Sequence, residues 1–180
     1  MVVRACASGA VSARDAAITL LALMTGLRAC DIVGLRLTDI NWRGMTIGIV
    51  QQKTGNPLCL PVSALLASRL ADYLLDERPS TVDDHVFVRS VAPHVRLADH
   101  ASVHWVTVTT FRRAGVADPK AGTRLLRHNA ASRLLCSEVA LPEIADVLRH
   151  TSTRMLEQHY RHQVKPSIDA HVGAMESLFG

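Results

Sequence analysis

A chain of 180 residues in which 48% of the side chains are hydrophobic and 20% are charged can bury a core and is not expected to be disordered. No apolar run approaches the roughly 20 residues that cross a bilayer, and the N-terminus lacks a signal-peptide pattern, so a cytoplasmic protein without a membrane partner is expected. The net charge of +4 is compatible with a polyanionic partner but does not identify one, because many unrelated proteins are this basic.

The periodicity of apolar residues and the turn signals predict a mainly α-helical chain with a small antiparallel β-hairpin or sheet, an α+β fold. Ser12 followed by Asp15 is a helix start signal, and Gly26 ends the apolar helix that follows. A turn cluster at 53–57 separates two short β-prone segments, which predicts the hairpin. In chain order we expect helices over residues 16–24 and 28–35, strands over 45–50 and 58–62, a helix over 63–75, a loop over 79–97 with at most a short strand at 86–88, and helices over 102–114, 123–136, 142–148, 152–160 and 167–179.

Nothing in the sequence divides the chain, because it has no internal repeat and no low-complexity segment. Residues 1–180 are therefore expected to form a single domain, with its core over 12–162 and a tail helix at about 166–179. The cysteines form no CxxC pair and are interpreted as buried thiols rather than disulfides or a zinc site. They are Cys6, Cys30, Cys59 and Cys136.

Two segments in the N-terminal half carry candidate functional side chains. Arg28 follows the helix-ending Gly26, so it can project from a tight turn, and Asp31 three residues later can hold it in place. The structural alternative is a capped helix start with an ordinary surface ion pair. Lys53 lies at the predicted hairpin tip, where it is either solvated or placed over a phosphodiester to which it can donate a proton.

Positive charge is concentrated in the C-terminal half. Residues 112–165 contain ten Lys or Arg against five Asp or Glu, which is the distribution that a phosphate-binding surface requires. Within it, Arg124 and Arg127 are three residues apart and share one face of a predicted helix. The two guanidinium groups could bind one phosphate together, or they could form a solvated basic face.

The chain has two tyrosines, and their surroundings differ. Tyr160 lies among cationic residues that favour its phenolate, ten residues after His150. Tyr73 lies on an apolar helix face and is expected in the core. A lone tyrosine or histidine is more often structural, but Tyr160 is the tyrosine whose surroundings favour a chemical role.

Together these segments resemble the tyrosine recombinase family, also called the phage integrase family. Each motif is weak alone, but the five occur in the order and at the spacing of that family, over about residues 13–162. The matching residues are the Thr25-Gly26-Leu27-Arg28 turn with Asp31, the Lys53-Thr54-Gly55 turn before Leu60-Pro61, Arg127, His150 and Tyr160.

The resemblance implies a tyrosine-recombinase catalytic-domain fold and a site-specific DNA recombinase or integrase. Such an enzyme cleaves and rejoins double-stranded DNA through a 3′-phosphotyrosyl intermediate, with no metal or other cofactor. Tyr160 would be the nucleophile, and Lys53 would protonate the leaving 5′-oxygen. Arg28 and Arg127 would bind the non-bridging phosphate oxygens and stabilise the transition state. His150 would hydrogen-bond the phosphate or assist proton movement at the tyrosine.

Two residues differ from the family pattern. Arg124 stands where the family has a histidine, and Arg149 replaces the glycine of a Leu-Gly-His motif. Asp31 would orient its neighbours rather than react, and Arg124 could add a phosphate contact. The side chains expected to contact DNA are Arg28, Lys53, Arg124, Arg127 and His150.

The resemblance also bears on domains and assembly. Many relatives carry an N-terminal helical domain that closes a clamp around DNA, and this domain is expected to be absent from the present chain. In such enzymes the tail after the tyrosine often docks onto a neighbouring subunit, so self-association on DNA through residues 166–179 is expected. Docking of that tail on its own domain is the alternative.

Two other functional classes are alternatives. A catalytically impaired DNA-binding protein of the same fold is favoured by Arg124 alone. A metal-binding protein is suggested by the nine histidines, with His100 and His104, or His159 and His162, as ligand pairs. No cysteine or carboxylate cluster completes either pair, so no metal is expected.

Overall fold

The computed structural model describes residues 1–50, 52, 55, 57–116 and 126, all of which belong to a compact unit that spans Met1–His128. In this part of the chain the fold is helix-rich with a small antiparallel sheet, which confirms the predicted class. The elements are α1 (Val2–Ala7), α2 (Ala13–Thr25), α3 (Ala29–Val33), β1 (Ile40–Asn41), β2 (Thr46–Val50), β3 (Pro57–Pro61), α4 (Ala64–Asp72) and α5 (His100–Arg113). The predicted helices at 123–136, 142–148, 152–160 and 167–179 lie outside the described residues.

Helix α2 begins where the sequence predicted, with the Ser12 side chain accepting the N–H of Asp15 at 3.2 Å. A second cap was not predicted. The Glu77 carboxylate accepts the N–H groups of Ala13 and Arg14, at 2.8 and 3.1 Å. These bonds satisfy donors that the first turn of a helix cannot satisfy internally.

Helix α2 forms the centre of the core. Nine of its thirteen residues are buried, and a helix that is apolar on all sides must be covered by other elements. It packs against α1, α4 and α5. The hydroxyls of Thr19 and Thr110 meet at 3.3 Å inside this core and link α2 to α5. Leu126 is also part of the core and is 1% exposed.

The sheet has the order β1-β2-β3, with antiparallel pairing throughout. Ile47 pairs with Leu60 and both are buried, whereas Gly48 and Cys59 pair on the exposed face. The predicted hairpin is confirmed, but β1 was missed because two residues are too few to show a strand period. The interpretation of Cys59 as a buried thiol was wrong, since the pleat directs its side chain to the exposed face.

Helix α4 begins one residue after the predicted start, with Ser63 as its N-cap, and the helical segment continues two residues beyond the predicted end. Ser63 caps it by accepting the N–H of Leu66 at 3.3 Å. A π-helical turn, Tyr73–Glu77, extends it, and the N–H of Arg78 bonds to the carbonyl of Tyr73 at 2.7 Å. This extra turn brings Glu77 to the start of α2.

The segment from 79 to 97 has almost no regular secondary structure, as predicted, but is tightly hydrogen-bonded. Asp83 organises it. Oδ1 accepts the N–H of His85 at 2.9 Å and lies 2.7 Å from its Nδ1, and Oδ2 accepts the N–H of Arg96 at 2.8 Å. These hydrogen bonds, those from His85 above all, lower the pKa of the Asp83 carboxyl to about 2.

We expect Asp83→Asn to destabilise the protein at neutral pH. The carboxyl has a folded pKa of about 2 against an ordinary 3.8, so its contribution is present above about pH 4 and is lost as the pH falls towards 2. Loss of charge-assisted bonds should lower Tm at pH 7 by about 3–6 °C and flatten the Tm profile between pH 4 and 2. Thermal unfolding across this range measures both effects. The control is Asp84→Asn, whose carboxylate is 54% exposed and should matter little.

One helix was not predicted at all. Residues Val2–Ala7 form α1, which places Cys6 in the core. Burial raises the pKa of the Cys6 thiol to about 11, so this cysteine is an inert core residue. Over the described part of the chain, no helix is both long and apolar enough to cross a membrane.

Candidate active site

The turn between α2 and α3 holds Arg28 at the start of α3. Gly26 has φ 64°, a left-handed conformation that glycine adopts without steric cost, and it ends α2. The Thr25 hydroxyl donates to the carbonyl of Leu21 and accepts the N–H of Leu27 at 3.2 Å. The Thr25 hydroxyl therefore links the end of α2 to the residue just before Arg28. Arg28 itself has extended backbone angles, φ −72° and ψ 151°.

Arg28 and Asp31 bracket the first turn of α3. Arg28 is partly exposed, and its Nη1 is buried. Asp31 is 3% exposed, although carboxylates are seldom buried to this degree without compensation. Compensation comes from the helix N-terminus, which favours negative charge, and from a hydrogen bond to a distant part of the chain. The N-terminus of α3 thus carries a partly exposed cation and a buried anion.

That distant hydrogen bond joins α3 to the end of strand β2. Oδ1 of Asp31 accepts the backbone N–H of Gln52 at 3.0 Å, across 21 residues of sequence. Lys53 directly follows Gln52 in the chain. The structure therefore ties the motif that contains Arg28 to the residue immediately before the motif that contains Lys53.

Cys30 lies between the two charged residues of α3. Burial, and after it the charge of Asp31, raises the pKa of the Cys30 thiol. The thiol is therefore neutral at physiological pH and is a poor nucleophile. It is partly exposed, so its interpretation as a fully buried thiol was wrong. Cys136 lies outside the described residues.

The structure describes two of the predicted site residues: Arg28 immediately before α3 and Asp31 in its first turn. The other predicted site residues lie outside the described part of the chain: Lys53, Arg124, Arg127, His150 and Tyr160. Sequence reasoning missed Gln52. Its only sequence signal is its position next to Lys53, because the bond it makes uses the backbone N–H, which every residue except proline has.

Tyr73 lies in the core, as predicted. It is 1% exposed and stacks on Phe87 with ring centroids 5.7 Å apart. Its hydroxyl accepts the N–H of Val88 at 3.2 Å, and burial raises the pKa of its phenol. Tyr73 is unsuited to attack a phosphodiester, because its hydroxyl is buried and its phenol is hard to deprotonate.

The described residues contain one grouping with metal-ligand geometry, formed by Asp83, Asp84 and His85. Its ligand atoms are already engaged. His85 Nδ1 contacts Asp83 Oδ1, and Asp84 is paired with Arg36. Of the predicted histidine pairs, His159 and His162 fall outside the described residues, and His100 and His104 belong to no such grouping.

Comparison with known proteins agrees with this arrangement. Residues 2–166 match the sequence profile of the phage integrase family. The integrase/recombinase y4rA of Sinorhizobium fredii is 32% identical over 140 residues, which are 78% of this chain and 34% of that protein. Tyrosine recombinase XerA of Pyrococcus furiosus is 25% identical over 174 residues, covering 93% of this chain and 57% of that protein.

A solved structure shows the same fold. The XerH site-specific recombinase, bound to its palindromic difH substrate after cleavage, superimposes with a TM-score of 0.76 at 20% identity. The match covers 97% of this chain and 50% of that one. The present chain thus spans between 34% and 57% of the length of these proteins. The profile match over residues 2–166 shows that the chain belongs to the phage integrase family.

Proposed function

We propose that this chain is the catalytic domain of a site-specific DNA recombinase that cleaves and rejoins double-stranded DNA. The observation that carries this proposal is the bond between Asp31 and Gln52, which links the Arg28 turn to the start of the Lys53 turn. The reaction needs Arg28 and Lys53 at one phosphate, and this bond joins the helix that follows Arg28 to the residue that precedes Lys53 in the chain. Such an enzyme acts on DNA, and the sequence predicts that it does so in the cytoplasm.

In the proposed reaction the Tyr160 oxygen attacks phosphorus and the bond to the 5′-oxygen breaks. The products are a 3′-phosphotyrosyl link and a free 5′-hydroxyl, which takes its proton from Lys53. Arg28 and Arg127 neutralise the non-bridging oxygens as charge develops, and His150 hydrogen-bonds the phosphate or moves a proton at Tyr160. The covalent link preserves the energy of the broken bond, so rejoining needs no ATP.

The burial of Tyr73 supports Tyr160 as nucleophile. The chain has two tyrosines, and Tyr73 is excluded by its exposure of 1% and its raised pKa. The basic composition of residues 112–165 supports a DNA-binding surface near Tyr160. Within the described residues, Arg28 is a partly exposed arginine at the start of α3, which suits contact with a phosphate.

We expect Arg124→His to raise the single-turnover cleavage rate. An arginine is always protonated and cannot accept a proton, whereas a histidine titrates near neutral pH. The gain should be roughly 10-fold or more, within the range of general acid–base catalysis. Arg124→Gln is the matched control, since it removes the charge without restoring a titratable group. An unchanged or lower rate for the histidine variant would contradict the assignment of Arg124 to the catalytic group.

We also propose that the segment 166–179 mediates self-association on DNA. Its apolar residues recur at helical spacing, which suits docking onto another subunit. The chain without this segment should sediment on DNA as a smaller assembly than the full chain. Equal sizes would instead favour docking of the segment on its own domain.

The direct test is a covalent trap. The protein is incubated with nicked duplexes built from the DNA that flanks its gene, and a denaturation-resistant protein–DNA adduct is sought. A nick near the cleavage point lets the cut strand diffuse away, so the adduct accumulates. An adduct supports the proposed function. Salt-sensitive binding without an adduct, on a verified binding site, would contradict it and favour a non-catalytic DNA-binding protein.

A further inference from the structure

Gly34 ends α3, and its conformation does not require glycine. Its φ of −80° and ψ of −5° are open to any residue. A side chain at Gly34 would instead displace the Gln52 amide. A methyl carbon placed on Gly34 would lie 2.2 Å from Nε2 of Gln52, 3.3 Å from its Cδ and 3.3 Å from the backbone carbonyl oxygen of Cys30. Because Gly34 has no side chain, the amide of Gln52 can occupy the space beside it.

Gln52 consequently meets α3 at two points. Its backbone N–H donates to Asp31, and its side-chain amide lies against Gly34. Residues 31 and 34 are three apart, so both points are on the same face of the helix. One contact would allow the chain to pivot at Gln52, whereas two contacts limit both its position and its rotation.

This two-point attachment joins the helix that follows Arg28 to the residue that precedes Lys53 in the chain. Arg28 is at the N-cap position of the helix that contacts Gln52, and Lys53 is the next residue after Gln52. Adjacent Cα atoms are about 3.8 Å apart, so restricting Gln52 also restricts the point from which Lys53 starts. A displacement of about 1 Å at a reacting group can change a rate by roughly 100-fold.

On the proposed recombinase function, we infer that Gln52 is a positioning residue. Held by Asp31 and seated over Gly34, it sets where the lysine turn begins relative to Arg28, and thereby how well Lys53 protonates the leaving oxygen. Gly34 takes part by leaving room for the Gln52 side chain. Neither Gln52 nor Gly34 is assigned contact with DNA.

The test separates positioning of the proton donor from other defects by changing the leaving group. A 5′-oxygen leaves as an alcohol and needs a proton, because an alkoxide is about as basic as hydroxide. A 5′-sulfur leaves as a thiolate, whose conjugate acid has a pKa of about 8.5. It therefore leaves without needing a proton. Single-turnover adduct formation is measured on nicked duplexes that carry either atom at the cleaved bond.

Gly34→Ala should slow adduct formation on the 5′-oxygen duplex by roughly 10-fold or more, and on the 5′-sulfur duplex by less than about twofold. Gln52→Ala should show the same selectivity, because it keeps the backbone N–H but removes the seated side chain. It changes an exposed residue, so it provides a second measurement if Gly34→Ala does not fold. The double variant should be no slower than Gln52→Ala alone, since the contact at 2.2 Å is then gone and only the Cys30 carbonyl oxygen, at 3.3 Å, remains near the added methyl carbon.

Gly48→Ala is the matched control. It is the same substitution on strand β2, where an added methyl carbon meets no atom within 4 Å, and it should leave both rates unchanged. Equal slowing on both duplexes, or additive losses in the double variant, would overturn the inference while leaving the recombinase function intact. No adduct from the unmodified protein on either duplex would instead contradict the recombinase function itself.

Discussion

Replacing Tyr160 with phenylalanine is expected to abolish the covalent protein–DNA adduct while leaving DNA affinity within about twofold. A phenyl ring has no oxygen to form the phosphotyrosyl bond, so the loss should exceed roughly 10⁴-fold, as for other enzymes that lose a nucleophile. Denaturing gel analysis of the nicked duplex measures the adduct, and a salt titration of binding measures the affinity.

Tyr73→Phe is the matched control for this substitution. It removes the hydroxyl that accepts the N–H of Val88 in the core, which should cost about 1–2 kcal/mol and lower Tm by a few degrees. Adduct formation below the new Tm should be unchanged. An adduct that survives Tyr160→Phe, or that disappears with Tyr73→Phe at full folding, would contradict the assignment of the nucleophile.

Arg28→Ala should give the second-largest effect, a fall of roughly 100- to 1,000-fold in the cleavage rate. A guanidinium offers two parallel N–H donors to a phosphate, and developing charge makes this contact stronger in the transition state than in the bound substrate. Arg28→Lys should recover only part of the loss, because an ammonium lacks the planar fork. Single-turnover rates at saturating DNA separate this effect from weaker binding.

The control for Arg28 is Arg36, an arginine near the same helix with a different role. Its side chain is 51% exposed and pairs with Asp84, so Arg36→Ala should change the rate at saturating DNA by less than about threefold. Thermal unfolding of both variants checks that the comparison is between folded proteins. Equal rate losses for the two arginines would show that general positive charge matters, rather than a specific contact from Arg28.

Local signals in the sequence were enough for much of the fold. The serine cap and the left-handed glycine of α2 act within one turn of the helix, so the sequence locates its ends. The hairpin was likewise predictable, because alternation and turn residues are adjacent in the chain. Helix α1 and strand β1 were missed, since six and two residues carry too little periodicity to distinguish them from loop.

The described part of the candidate site also contains residues that the sequence predicted and one that it did not. Arg28 and Asp31 were predictable, because a glycine, an arginine and an acid at fixed spacing describe one local turn. Gln52 was not, since it acts through a backbone N–H and through a contact with a residue that has no side chain. Neither feature has a residue-type signature.

By itself, then, the sequence determined the helical class, the bounds of the central helix and membership of the phage integrase family. These depend on periodicity, caps and ordered motifs, all of which are local or additive along the chain. Only the tertiary structure decided that Asp31 holds Gln52, that Gly34 makes room for it and that Glu77 caps α2. Each of these contacts joins residues that are distant in sequence, so only packing brings them together. The buried carboxylate of Asp31 needs a partner, the first turn of α2 needs an acceptor for its N–H groups, and Gly34 leaves space for a neighbour.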